Sequence, residues 1–189
     1  IIMQFSSYFL PFIFLCLVAL QSPNLPRMTA GVLAALAARA GFAFLAIGAP
    51  GLFVTVAKRM IGRARPYVGN HDDPFAYMPF DWRSDYASMP SGHATTAVAA
   101  AMAIGAVWPQ ARWVRWVYAL VIIFSRVVIL AHHPSDVIAG AVVGAVGVGL
   151  VRRWFASRGL VFSARDLRVR AGPSLRRIKA AILGAASAL

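Results

Sequence analysis

Three short clusters hold most of the residues that could do chemistry. The first is Lys58-Arg59-Met60-Ile61-Gly62-Arg63-Ala64-Arg65-Pro66, the second Pro90-Ser91-Gly92-His93, and the third Ser125-Arg126 followed by His132 and Asp136. Their types suit phosphoryl transfer. A phosphate monoester carries nearly two negative charges near neutral pH. Lys58, Arg65 and Arg126 can neutralise that charge, and backbone N–H groups near Ser91 and Gly92 add donors at a helix start. Pro90 suits the entry to that helix and Ser91 its cap. A histidine can attack phosphorus through an imidazole nitrogen. His132 has Asp136 four residues on, and a carboxylate bonded to the far nitrogen would fix the tautomer and stabilise the cation formed. His93 can protonate the leaving alkoxide and then activate water. This scheme needs no metal, and the chain offers a poor hard-ion site.

Taken singly, these residues have plainer uses. Lys58 and Arg59 could flank a span end. Arg126 could snorkel, His93 could be a cap-region histidine, and Asp136 could cap a helix after Pro134. The plainer uses do not explain why three distant clusters fall at one end of their spans. His71 and His133 read as rim residues or neighbours. Arg59 and Arg63 read as interface anchors or headgroup contacts. Thr95 and Thr96 read as hydroxyls bonded back within their helix.

The elements that must position these groups are apolar helices. The chain of 189 residues is 60% hydrophobic, with a mean hydropathy of +0.69. That is beyond an ordinary soluble domain. Apolar runs cover residues 1–20, 29–57, 91–108, 113–131 and 135–151. The expected fold is therefore all-α, a polytopic bundle of about five membrane spans. The 29–57 run exceeds a hydrocarbon core of about 30 Å, so it should tilt, kink near Pro50, or start in the interface. Gly140, Gly144, Gly147 and Gly149 suit close helix contact in lipid. Residues 58–90 form a polar connection whose aromatics, among them Tyr67, Phe75, Tyr77, Phe80, Trp82 and Tyr86, suit a loop at the membrane interface. Its Asp72, Asp73, Asp81 and Asp85 lie among arginines and are expected to form internal salt bridges.

Charge orients the bundle. Lys and Arg number 19 against 6 Asp and Glu, a net charge of +13. The tail carries Arg152, Arg153, Arg158, Arg165, Arg168, Arg170, Arg176, Arg177 and Lys179. A domain over 1–155 is expected, then a basic tail over 156–189, with residues 165–183 as an amphipathic helix on the membrane. The positive-inside rule makes the tail cytoplasmic and places the three clusters on the opposite face. The same count puts Ile1 outside and predicts a further helix upstream. Anionic lipid, not nucleic acid, is the tail's expected partner. The single Cys16 excludes an intrachain disulfide and reads as an apolar filler.

Together, Lys58-x6-Arg65-Pro66, Pro90-Ser91-Gly92-His93 and Ser125-Arg126-x5-His132-x3-Asp136 resemble the three-part signature of the type 2 phosphatidic acid phosphatase (PAP2) superfamily. That group includes membrane lipid phosphatases and soluble vanadium haloperoxidases. All three parts are present without substitution. The resemblance implies that His132 is the nucleophile forming a phosphohistidine, His93 the general acid, and Asp136 the group that orients His132. It assigns Lys58, Arg65, Ser91, Gly92 and Arg126 to phosphate binding, with no cofactor. It implies hydrolysis of a lipid phosphate or diphosphate, such as phosphatidic acid, phosphatidylglycerol phosphate, undecaprenyl diphosphate or lipid A. The expected setting is a bacterial inner membrane with the site on the periplasmic face. The membrane branch commonly has six spans, so the five counted here fit a core without its first helix. A phosphotransferase using the same site stays open beside this reading, as does a non-catalytic lipid phosphate transporter or binding protein. The transmembrane character argues against a haloperoxidase.

Overall fold

The computed structural model describes residues 2–23, 25–68, 75–110, 112–170, 179, 180 and 183. The described residues form five α-helices and no strand. They are α1 (Ile2–Leu20), α2 (Arg27–Ile61), α3 (Gly92–Val107), α4 (Arg112–Val128) and α5 (Pro134–Ser157), with a short 3-10 turn at Ser84–Tyr86. The all-α expectation holds for these residues. Of the five expected spans, α2 and α5 are long and apolar enough to cross a bilayer on their own. At 16 and 17 residues, α3 and α4 reach only about 25 Å at 1.5 Å per residue.

The chain divides into two compact units, Ala46–Val151 and Ile1–Leu45 with Arg152–Leu189. The candidate chemistry lies entirely in the first. Its interior is small: Ala94, Ala97, Ala99, Ala101, Ala103 and Ala119 are buried, whereas Phe53, Trp113, Val117, Val121, Phe124 and Leu150 are exposed. This inverts the usual sorting, in which large apolar side chains fill the core.

Small residues let the helices approach closely. A Cβ at Gly140 would run into the Ser91 carbonyl, and one at Gly144 would stand 2.6 Å from the Thr95 carbonyl. Thr95 ties the two helices, its hydroxyl lying 2.9 Å from both the Ser91 and Gly140 carbonyls. The glycines of α5 thus set how near Asp136 comes to the start of α3. Gly140→Val is expected to destabilise the protein by about 1–3 kcal/mol, the range for overpacking a filled core. Thermal unfolding in detergent measures it, and an unchanged midpoint contradicts this account of the packing.

α2 runs unbroken through Pro50 for 35 residues, about 52 Å at 1.5 Å per residue. Lys58 and Arg59 sit inside its last turn, not beyond it as the pattern suggested. The helix ends at Gly62, whose φ of 63° is left-handed. Its N–H donates to the Lys58 carbonyl at 3.0 Å, the usual glycine stop.

In the other unit, Phe42 is fully buried and meets Phe155 and Phe162 edge-on, with centroids 5.4 and 4.7 Å away. Buried Arg39 donates to the Arg170 carbonyl at 2.9 Å. The basic segment after α5 therefore folds back instead of beginning an amphipathic helix at 165. Asp166 accepts the Arg168 N–H at 3.1 Å, and Phe162 bridges Val169. Residues 171–178 of the expected tail helix, with Arg176 and Arg177, lie outside the described residues, as do His71, Asp72 and Asp73 of the loop. Cys16 is a buried free thiol.

Candidate active site

The loop between α2 and α3 is built by backbone pairing around Arg63. Ala64 N–H donates to the Ala76 carbonyl at 2.9 Å, and Met78 N–H to the Gly62 carbonyl at 2.7 Å. On the other side, Ser88 N–H donates to the Arg63 carbonyl at 3.1 Å. Arg63 is consequently turned inward and buried. Its guanidinium meets the Asp136 carboxylate at 2.6 Å and the Ser135 hydroxyl at 2.7 Å. The expected role of Arg63 as an interface anchor gives way to a buried ion pair. Of the expected salt bridges in the loop, Asp81 pairs with Arg83 at 2.7 Å. The Arg83 hydrogen bond holds its carboxyl below the usual range. The loop also displays its aromatics, Trp82 being 81% exposed beside Phe75 and Phe80.

His132 reaches the site from the end of α4. The helix stops at Val128, and Leu130 takes a positive φ. The amides of Ala131 and His132 both close onto the Arg126 carbonyl, at 3.1 and 3.2 Å. Arg126 and His132 are therefore joined by a tight helix-end turn, not separated along a continuing helix. His132 is buried, and its Nδ1 lies 3.5 Å from Ser88 Oγ. Asp136 is fully buried in the first turn of α5. Its Oδ2 accepts the Ser88 hydroxyl at 2.5 Å and the His133 N–H at 2.9 Å. Asp136 is thus both a helix cap and a partner of the site. Its link to His132 runs through Ser88.

The cations gather around the start of α3. A Cβ at Gly92 would lie 3.5 Å from Lys58 Nζ, which places the ammonium over the backbone there. Arg65 donates to the Ser84 and Ala131 carbonyls at 3.0 and 3.3 Å, which holds it beside the histidine turn. Arg126, Lys58 and Arg65 all act electrostatically on His93, and Arg65 and Lys58 on His132. Ser91 caps α3, accepting from Ala94 N–H at 3.5 Å, and its own N–H donates to the Asp136 carbonyl at 2.9 Å. Ser91 is fully buried, whereas Gly92 and His93 are partly exposed. The structure therefore uses the Ser91 amide to join α3 to α5, and the residues left partly exposed at this helix start are Gly92 and His93.

His132 lies outside the helices. Burial, reinforced by the charge of Arg65, pushes its imidazole down to about 4, with Asp136 and the Ser88 main chain opposing. The ring is neutral at pH 7 and charges only as pH falls through about 4, so its lone pair is available over most of the acidic range. Histidine 15N NMR near pH ~5.5, below the ordinary histidine value, is expected to find His132 neutral. An imidazolium there contradicts the assigned environment.

The sequence-assigned residues Lys58, Arg65, Gly92, His93, Arg126, His132 and Asp136 thus converge in one unit. Arg63 and Ser88 belong to the same network and were not singled out as site residues. Only the intrinsic cost of burying an arginine and the proximity of Ser88 to His93 in sequence pointed to them.

A fold of apolar helices that brings a phosphate-ready cation cluster to two histidines defines a class of protein. Residues 39–160 match the PAP2 superfamily, and the chain belongs to it. It is 38% identical over 121 residues to a lipid A 1-phosphatase of Rhizobium johnstonii, covering 64% of this chain and 50% of that protein. It is 36% identical to a lipid A 1-phosphatase of Rhizobium etli over the same length, covering 52% of that one. The chain spans about half the length of these curated relatives. No solved structure matches it significantly.

Proposed function

We propose that this protein is a membrane lipid phosphatase that removes a phosphate from a lipid A-type molecule through a phosphohistidine. The observation that carries the reading is the gathering of Lys58, Arg65 and Arg126 with His93 and a neutral His132 at the start of α3. With Nδ1 turned to Ser88, His132 Nε2 is the atom that attacks phosphorus. The P–N bond forms as the P–O bond to the lipid breaks, and His93 gives its proton to the leaving alkoxide. Water then attacks, His93 takes its proton, and the P–N bond breaks to release phosphate. Lys58, Arg65, Arg126 and the amides at Gly92 hold the equatorial oxygens, with Ser91 shaping the turn that presents them.

The choice of lipid A is supported by the two relatives of that name. The membrane setting is supported by α2 and α5 and by the exposed apolar faces of α4 and α5, which suit contact with lipid tails. In that setting the helices form a polytopic bundle in the inner membrane. The site lies on the periplasmic face, the aromatic loop at the interface, and the basic tail on the cytoplasmic side against anionic lipid.

The test is a panel of lipid phosphates given to one detergent-purified preparation. Lipid A bearing a 1-phosphate is expected to be the fastest substrate. Faster release from phosphatidic acid or undecaprenyl diphosphate overturns the substrate, and release from none overturns the activity.

A further inference from the structure

We propose that Ser88 is a positioning residue that carries the influence of Asp136 to His132, so that the site works as a serine-bridged His–Ser–Asp–Arg chain. This rests on the reading of His132 as nucleophile. A carboxylate can only accept, so at 2.5 Å the Ser88 hydroxyl donates to Asp136 Oδ2. That uses its single proton. Toward His132 Nδ1, 3.5 Å away, Ser88 Oγ can then only accept, which requires the proton on Nδ1 and leaves the lone pair on Nε2. The hydroxyl thus selects the attacking tautomer.

The chain is braced at both ends. Arg63 grips the other carboxylate oxygen at 2.6 Å, and the Arg63 carbonyl accepts the Ser88 N–H at 3.1 Å. Ser88 and Asp136 are both fully buried, so water does not replace either contact. When His132 takes phosphorus, its ring becomes cationic. The Nδ1–H then pulls closer to Ser88 Oγ, whose own proton stays on Asp136. No proton changes owner, and the new charge is stabilised along the chain. A contact that is long in the resting protein and tightens on charging favours the transition state over the ground state.

The Ser88 main chain also takes part in hydrogen bonding to the ring, so the hydroxyl must be tested apart from the backbone. Ser88→Ala keeps the backbone and removes the hydroxyl. Its kcat is expected to fall about 10- to 100-fold, the range for a hydrogen bond to a charged group, with KM nearly unchanged. Histidine 15N NMR of the free protein is expected to show His132 shifting from the Nδ1–H form to a tautomer mixture. Ser88→Thr, which restores the hydroxyl, is expected to recover most of both. Ser88→Cys keeps the volume with a weaker donor and should show the same spectral change should the alanine variant not fold. A wild-type tautomer in Ser88→Ala or Ser88→Cys overturns the proposal, because the main chain alone then orients the ring. So does a loss of rate that Ser88→Thr leaves unrepaired. The tautomer is read without substrate, so an error about the nucleophile would appear in the His132→Ala rate and not in this spectrum.

Discussion

His132→Ala is expected to lower phosphate release by on the order of 10^4-fold or more, as removal of a nucleophile from a catalytic unit does. The protein should still fold and still bind lipid phosphate. The side chain sits in the turn between α4 and α5, and that turn is held by backbone bonds to the Arg126 carbonyl, which alanine keeps. The cations around Gly92 are untouched. KM should therefore change far less than kcat. His93→Ala should also be slow, by about 10^2- to 10^4-fold, but in a different way. His93 serves both half-reactions, as acid and then as base. With an activated aryl phosphate the leaving group needs no acid, so the first half survives in His93→Ala. Its phosphoenzyme should accumulate, whereas His132→Ala should form none. Burst kinetics separate the two, and equal behaviour of the variants contradicts the division of roles.

Arg63→Met is expected to be the most destabilising single change in the site, by about 3–5 kcal/mol, the cost of leaving a buried charge without its partner. Asp136 is fully exposed to that loss, because its carboxylate is buried and meets the guanidinium at 2.6 Å. The variant keeps the backbone bond from Ser88 to residue 63 but leaves the carboxylate to which Ser88 donates without its cation. Activity should fall with stability even though Arg63 is assigned no contact with substrate. Adding Asp136→Asn to Arg63→Met should recover part of the unfolding free energy without recovering activity, because it removes the stranded charge but not the need to orient His132. Chemical unfolding in detergent measures both, and additive losses in the double variant contradict a coupled pair.

Much of this was legible in the chain. The three clusters were visible because residue types suited to phosphate chemistry recur at one end of three apolar runs, Arg126 inside one of them where a charge is rare, and the runs themselves fixed which ends coincide. The cap at Ser91 followed from its type and place before an apolar helix. What pattern could not reach were contacts made across the fold. Arg63 looked like one more basic residue among five in the loop, and only the pairing of its backbone with Tyr77 and Ser88 turns it inward. Ser88 carried no signal beyond its nearness to His93, because a serine near a proline has many uses. Asp136 read either as a cap after Pro134 or as the group that orients His132; its Oδ2 accepts the His133 N–H and the Ser88 hydroxyl, and a route to His132 through a third side chain is nothing that spacing reports. The helix-end turn that joins Arg126 to His132 could not be foreseen, since nothing in the apolar run from 113 to 131 marks the break after Val128. Residues 165–183 read as one amphipathic helix, whereas Arg170 pairs through its backbone with Val161 and with buried Arg39, contacts that charge patterning does not report.

The most direct test of the central claim is the site of the covalent intermediate. The protein would be mixed briefly with a radiolabelled lipid phosphate, quenched in alkali, and digested for peptide mapping. The label is expected on His132, labile to acid, absent from His132→Ala and enriched in His93→Ala when the leaving group is activated. Steady hydrolysis with no label on His132, or phosphate release by His132→Ala at the wild-type rate, would contradict the account.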